Sequence, residues 1–160
     1  KSGWVLENGA LTGNDNPNAD PEILVAIGEL ATSIGAADIT EIEFITTAFD
    51  VSAGGTLQVR VRFNEAVDVT GTPQLTVVND SRANHTLSYA SGTGSNELVF
   101  SLTIAAGGGG VIAADDELSI GANATALNGG TIKDAGTNTA STITNAASIG
   151  TAAGTITAVA

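Results

Sequence analysis

Cysteine and methionine are absent from the 160-residue chain, and histidine occurs once, at His85. Without cysteine there is no disulfide, cysteine nucleophile or thiolate zinc site, and one histidine cannot form a multi-histidine metal site. Basic residues are also scarce, because five Lys and Arg stand against 17 Asp and Glu, for a net charge of −12. Proteins bind nucleic acids through clustered basic residues, so we expect no nucleic-acid partner.

Aromatic residues make up only 4% of the chain, although 42% of it is hydrophobic. The apolar content is therefore mostly Ala, Val, Ile and Leu, and with 20 glycines it favours thin β layers joined by many turns. The longest apolar run, residues 23–27, is far shorter than the ~18–20 residues of a spanning helix, so we expect no membrane span. Because the sequence starts at Lys1 without any Met, we expect a processed or partial form of a longer chain.

The first 19 residues are predicted to form an irregular arm. Asn8-Gly9 and the polar run over residues 14–18 favour turns rather than regular structure. Trp4, Val5 and Leu6 are the only bulky apolar cluster in this arm. Since buried aromatic anchors often dominate an interface, we expect these three residues to form an assembly contact.

A helix is predicted to follow the arm, over residues 21–34. Asp20 is a favourable N-cap residue, and Pro21 suits the first helical position. The apolar residues then recur at helical spacing, at Ile23, Ile27, Leu30 and Ile34. Residues 1–38 are therefore predicted to be an attachment segment made of an arm and one short helix.

From Ile39 onward, the apolar period changes from that of a helix to that of a strand. Leu57, Val59, Val61 and Phe63 alternate with polar residues, as in a strand with one buried face. About seven short strands separated by turn residues predict a mainly β fold, an immunoglobulin-like β-sandwich over residues 39–145. Residues 146–160 are predicted to be a C-terminal strand or tail. The predicted strands cover residues 39–48, 57–63, 74–78, 85–90, 97–104, 117–120 and 130–133.

Three blocks of this β region carry a resemblance to a known family. The first is the run VRFNEAVDVTGTPQL at residues 61–75, and the other two are made of scattered positions. Together they resemble a bacterial immunoglobulin-like repeat of cyanobacterial and marine bacterial surface proteins, which also occurs in phage virion proteins. The resemblance implies a β-sandwich that serves as a spacer, stalk, adhesin segment or decoration, without a shared catalytic centre. The scattered positions are Tyr89, Ser91, Gly92, Gly94, Ser95, Asn96, Leu98 and Phe100, then Leu127, Gly130, Thr131, Ile132, Lys133, Asp134, Gly136 and Asn138.

Calcium is the one metal for which the sequence offers candidate ligands. Asp115 and Asp116, or Asp134 with Asn138, could hold Ca²⁺ through carboxylate and carbonyl oxygens at one end of a sandwich. The competing interpretation is that these are solvated turn residues, because Ca²⁺ requires six to eight oxygen ligands. We therefore expect no cofactor, with Ca²⁺ as the alternative.

The sequence contains no catalytic motif, so we expect a non-enzymatic structural protein. The leading hypothesis is a decoration protein on the surface of a phage virion, which contacts capsid subunits and copies of itself. The alternative is an extracellular bacterial surface or filament subunit that assembles by strand exchange. A carbohydrate-binding module is a third hypothesis, but sugar sites usually need an aromatic platform. Four of the six aromatic residues occupy inward-facing strand positions. Only Trp4 and Phe49 are then left for a sugar-binding platform, and two aromatic residues are too few for a convincing one.

Overall fold

The computed structural model describes residues 35–160, together with two short N-terminal strands, β1 (Trp4–Val5) and β2 (Ile23–Val25). The chain divides into two compact units, an N-terminal unit, Lys1–Thr32, and a β domain, Ser33–Ala160. In the N-terminal unit, β1 pairs antiparallel with β2. The predicted helix is therefore wrong over Ile23–Val25, where β-branched residues favour a strand. The rest of that prediction, and Leu6, lie outside the described residues.

The β domain contains ten strands and one short helix. The helix, α1 (Ala147–Ala152), lies close to the C-terminus, and a tight glycine-rich turn occupies Ala106–Gly110. The predicted mainly β class is confirmed. In chain order the strands are β3 (Ile39–Phe44), β4 (Phe49–Asp50), β5 (Gly55–Thr70), β6 (Gln74–Asn79), β7 (His85–Ser91), β8 (Ser95–Ile104), β9 (Glu117–Ser119), β10 (Thr125–Ala126), β11 (Thr131–Asp134) and β12 (Ile156–Val159).

These ten strands form one curled sheet. Its order is β11-β5-β8-β7-β6-β9-β12-β4, with β3 beside β5 and β10 beside β6. The strands β3 and β4 are separated by only four residues, yet they lie towards opposite ends of this order. The sheet must therefore curl until its two ends approach one another, which gives a half-barrel around the core.

The core is built from the alternating faces that the sequence predicts. Leu57, Val59, Val61 and Phe63 on β5 are at most 2% exposed, and β8 contributes further buried residues opposite them. Tyr89 packs edge-on against Phe100, with the ring centroids 6.1 Å apart. The predicted buried face of β5 is thus confirmed.

One sequence prediction about the sheet is wrong, and a second is incomplete. The predicted number of about seven strands is too low, because β4, β10 and β12 also belong to the sheet. Residues 146–160, predicted as a strand or tail, form α1 and β12, and β12 pairs with β9 on one side and β4 on the other. Small Ala and Thr residues give β12 little apolar periodicity, so its place in the sheet is not visible in the sequence.

Candidate functional site

A buried polar cluster lies where β6, β7 and the loop before β9 meet. It is centred on Asn79, His85 and Asp116, each of which is only 4% exposed. Asn79 ends β6, His85 begins β7, and Asp116 directly precedes β9. Buried polar groups are costly unless they are hydrogen-bonded, so the partners of these three side chains decide what the cluster does.

The carboxylate of Asp116 is the acceptor for most of the cluster. Its Oδ1 accepts a hydrogen bond from the Ser81 hydroxyl at 2.6 Å, and its Oδ2 accepts from Asn79 Nδ2 at 3.0 Å and from the Ala113 amide at 2.9 Å. The guanidinium Nε of Arg82 lies 3.1 Å from the same Oδ2. These donors, the Ser81 hydroxyl first and the Asn79 amide next, lower the pKa of Asp116 to about 2.

The orientation of the Asn79 amide fixes the state of His85. Asn79 Oδ1 accepts from the backbone amides of Ser81 and Arg82, both at 3.0 Å, so Nδ2 is the donor end. One Nδ2 hydrogen goes to Asp116, and the other points at His85 Nε2, 3.3 Å away. His85 Nε2 must therefore accept, which requires a neutral imidazole protonated on Nδ1. Burial lowers the pKa of His85, and the charge of Asp116 opposes this only partly.

The predicted calcium ligands are engaged in the local structure or lie at the surface. All four polar groups that contact the Asp116 carboxylate belong to the fold itself, whereas Asp115 is exposed and has a left-handed backbone, with φ of 69°. Asp134 Oδ1 accepts from the Thr137 amide and hydroxyl, and the Asn138 amide donates to the Asp134 carbonyl. The Thr137 amide is the main reason that the pKa of Asp134 is lowered. Residues 35–160 include no group of three or more Asp, Glu or His placed to hold a metal ion.

The outer face of the sheet carries a ladder of ion pairs across three strands. On β5, Arg60 pairs with Glu43 and, at 3.4 Å, with Glu97, while Arg62 pairs with Glu97 at 2.7 Å and Glu41 at 3.0 Å. The hydrogen bond that Arg62 Nε donates to Glu97 is the main reason that the pKa of Arg62 is raised. Two of the five bases in the chain are thus neutralised by acids on neighbouring strands. This face is charge-balanced rather than basic.

A cleft opens beside the polar cluster, between β7 and β8. The paired register of these strands ends at Ser88 and Ser101, although β7 starts at His85 and β8 continues to Ile104. A cavity of about 440 Å³ occupies this place, lined by residues 82–86, 102–105 and 109–111. The sequence does not reveal the cleft, because the alternation of both strands continues through it.

The other residues that the sequence singles out for contacts are Trp4, Val5, Leu6 and Phe49. Trp4 and Val5 lie in β1, and their side chains, like all of Leu6, lie outside the described residues. Phe49, left free for a sugar platform by the sequence argument, is only 2% exposed and belongs to the core, so that part of the argument is wrong.

In the part of the chain that the structure describes, no helix is long and apolar enough to cross a membrane.

Comparison with known proteins gives no relative. No protein-family model matches the chain, and neither the curated proteins nor the solved structures include a significant match.

Proposed function

We propose that the protein is a non-enzymatic structural component of a large assembly, most specifically a decoration protein on the surface of a phage virion. The observation that carries this proposal is the division into two compact units. The β domain has a core of its own, so it can project from a surface without help from a neighbour. The N-terminal unit, which contains Trp4 and Val5, is then the part that attaches to the capsid.

The strand order supports an immunoglobulin-like arrangement within the curled sheet. Constant-type immunoglobulin domains place strands A, B, E and D in one sheet and C, F and G in the other. If β3, β5, β6, β7, β8, β9 and β12 are read as strands A to G, the observed order contains A-B-E-D followed by C-F-G. The pairing of β6 with β7 then joins the two halves. Such a module agrees with the resemblance of residues 61–75 to bacterial immunoglobulin-like repeats.

The chemistry of the polar cluster also favours a structural role. Asp116, Asn79 and Ser81 direct their polar atoms at one another, which ties together β6, β7 and the loop before β9. A catalytic centre needs a nucleophile, an acid or a base that faces a substrate. The cluster instead uses its carboxylate inside the fold, as expected of a domain that must stay intact in an exposed position.

A second function is favoured by the pairing in the N-terminal unit. The strands β1 and β2 show that short segments there adopt β structure. Such a segment can add to the sheet edge of another subunit, as in surface filaments that assemble by strand exchange. An extracellular bacterial filament or adhesin subunit is therefore the alternative, and it also involves contacts between copies.

Immunogold electron microscopy of the native source tests both functions. Antibodies against the β domain should label the outer surface of virus particles if the leading proposal is correct. Labelled filaments on cells would support the alternative instead. Protein that sediments only as free monomers, with neither structure labelled, would contradict both.

A further inference from the structure

The cleft between β7 and β8 presents backbone groups rather than only side chains. The Tyr89 amide donates to the Pro73 carbonyl on the β6 side. Because successive residues of a strand point their backbone groups to opposite sides, Ser88 and Thr86 point theirs towards β8. Ser101 is paired with Ser88, so Thr103, two residues further along β8, points towards β7.

Thr86 and Thr103 would form the next hydrogen-bonded pair if the two strands stayed together. The register instead ends one pair earlier, and the cavity lies at this position. Each strand is still paired with its other neighbour at this position. Thr86 is opposite Thr76 on β6, and Thr103 is opposite Thr56 on β5. The cleft is therefore bounded by two half-edges, residues 85–87 of β7 and 102–104 of β8, each about three residues or ~10 Å long.

The side chains around this gap complement the backbone edges. Ile104 and His85, each 4% exposed, and the half-buried Leu102 line the inner part of this gap. Arg82 is the one base among the residues that line the cavity, and its side chain is 42% exposed. Only its Nε is used on Asp116, which leaves terminal guanidinium hydrogens for a carboxylate.

We propose that this cleft binds an extended acidic peptide segment of another polypeptide, which pairs with Thr86 and Thr103 and places a carboxylate against Arg82. Unpaired strand edges are templates for strand addition, and backbone hydrogen bonds supply affinity in that mode. Arg82 offers this carboxylate its terminal guanidinium N–H groups, because only its Nε contacts Asp116. The inference rests on the proposed function for a polypeptide partner, and it names the place and chemistry of that contact.

The test uses the full chain, labelled with ¹⁵N, and a synthetic hexapeptide that alternates threonine and valine and carries one aspartate. Before peptide is added, the amides of Thr86 and Thr103 should exchange with solvent faster than those of Leu87 and Leu102, which face β6 and β5. Saturating peptide should slow the Thr86 and Thr103 amides at least about tenfold and leave the other two unchanged. Protection of Thr86 and Thr103 without peptide would show that the strands are closed there, which would overturn the proposal.

Matched controls separate strand addition from loose apolar contact. The same peptide methylated on its backbone nitrogens should bind at least about tenfold more weakly, because it cannot donate to the half-edges. Arg82→Gln should weaken the aspartate peptide but not its asparagine analogue. Thr103→Pro removes the Thr103 amide, one of the two that face the cleft, without removing a β5 hydrogen bond, and it should weaken binding of the peptide. Equal binding of the methylated peptide, or no binding at millimolar concentration, would overturn the inference, while particle labelling would still decide the proposed function separately.

Discussion

Asn79 joins Asp116 and His85 through a single amide nitrogen, which lies 3.0 Å from Asp116 Oδ2 and 3.3 Å from His85 Nε2. Residues that are 37 and 6 positions from Asn79 are thereby held in one buried arrangement. Because this nitrogen has two hydrogens and both are used, neither neighbour can change its protonation without losing a partner. The free energy of unfolding should therefore depend on the protonation of both His85 and Asp116.

Protonation of His85 should destabilise the β domain. A protonated Nε2 would oppose the Asn79 amide hydrogen, and the pKa of His85 in the fold is below its ordinary 6.5. Between the lowered pKa and 6.5 the unfolded chain binds more protons, so the free energy of unfolding falls as the pH drops through this window. Urea unfolding at pH 7.5 and 5.0 should show a larger loss for the native chain than for His85→Gln. Equal losses in both chains would contradict the neutral assignment.

Replacing Asp116 should weaken the fold at neutral pH and matter less in acid. The pKa of Asp116 is about 2 in the fold against 3.8 ordinarily, so its stabilisation is complete above the ordinary value and lost as the pH falls to about 2. Asp116→Asn should lower the urea midpoint at pH 7, with a difference that shrinks below pH 3.8. Asp115→Asn is the control, since that neighbour is exposed, and it should change the midpoint little. An equal change of the urea midpoint in both variants would show that the hydrogen bonds of Asp116 do not stabilise the fold.

The buried face of β5 should be far more sensitive than its outer face. Phe63 is 2% exposed, and Phe63→Ala should cost roughly 3–5 kcal/mol of unfolding free energy through the cavity that it leaves. Arg62→Ala breaks partly exposed ion pairs and should cost at most about 1 kcal/mol. Chemical denaturation of the two variants measures this contrast. Comparable losses would mean that the register of β5 is wrong.

Two glycines in the turn between β7 and β8 should differ sharply when replaced by alanine. Gly92 has a φ of 115°, and a Cβ there would lie 2.0 Å from the Glu97 carbonyl oxygen, which the backbone cannot accommodate without moving. Gly94 has a φ of 80° but open space around it, so Gly94→Ala should cost only the left-handed strain of about 1–2 kcal/mol. A smaller loss of melting temperature for Gly92→Ala than for Gly94→Ala would contradict this geometry.

The sequence predicts the long core strand β5 better than the short strands β2, β4 and β12. Period-two alternation places Leu57 to Phe63 inside, because bulky apolar residues there must all face one core. The short strands carry weaker signals, because β12 buries only Ile156 and the small Ala158 while its Val159 is exposed, and because β4 is only two residues long. The segment Ile23–Val25 satisfies a helical spacing and a strand preference equally, and three residues cannot distinguish them.

The candidate sites depend on contacts that no local pattern contains. His85, which the sequence places in a predicted strand, is joined to Asp116 through Asn79 because β6 lies between β7 and β9 in the sheet. Asp116, read as a turn acid with Asp115, is buried because three donors converge on it from other parts of the chain. The cleft arises where two strands separate, and strand separation is a property of the curled sheet rather than of either strand.

Attachment through the N-terminal unit can be tested by measuring how fully a Trp4→Ala chain occupies native particles. Quantitative immunoblotting of purified particles would give the occupancy, and calorimetry of the free chain would give its melting temperature. We expect a strong loss of occupancy at an unchanged melting temperature, because the β domain has its own core. Normal occupancy together with a lowered melting temperature would contradict it, since Trp4 would then only stabilise its own chain.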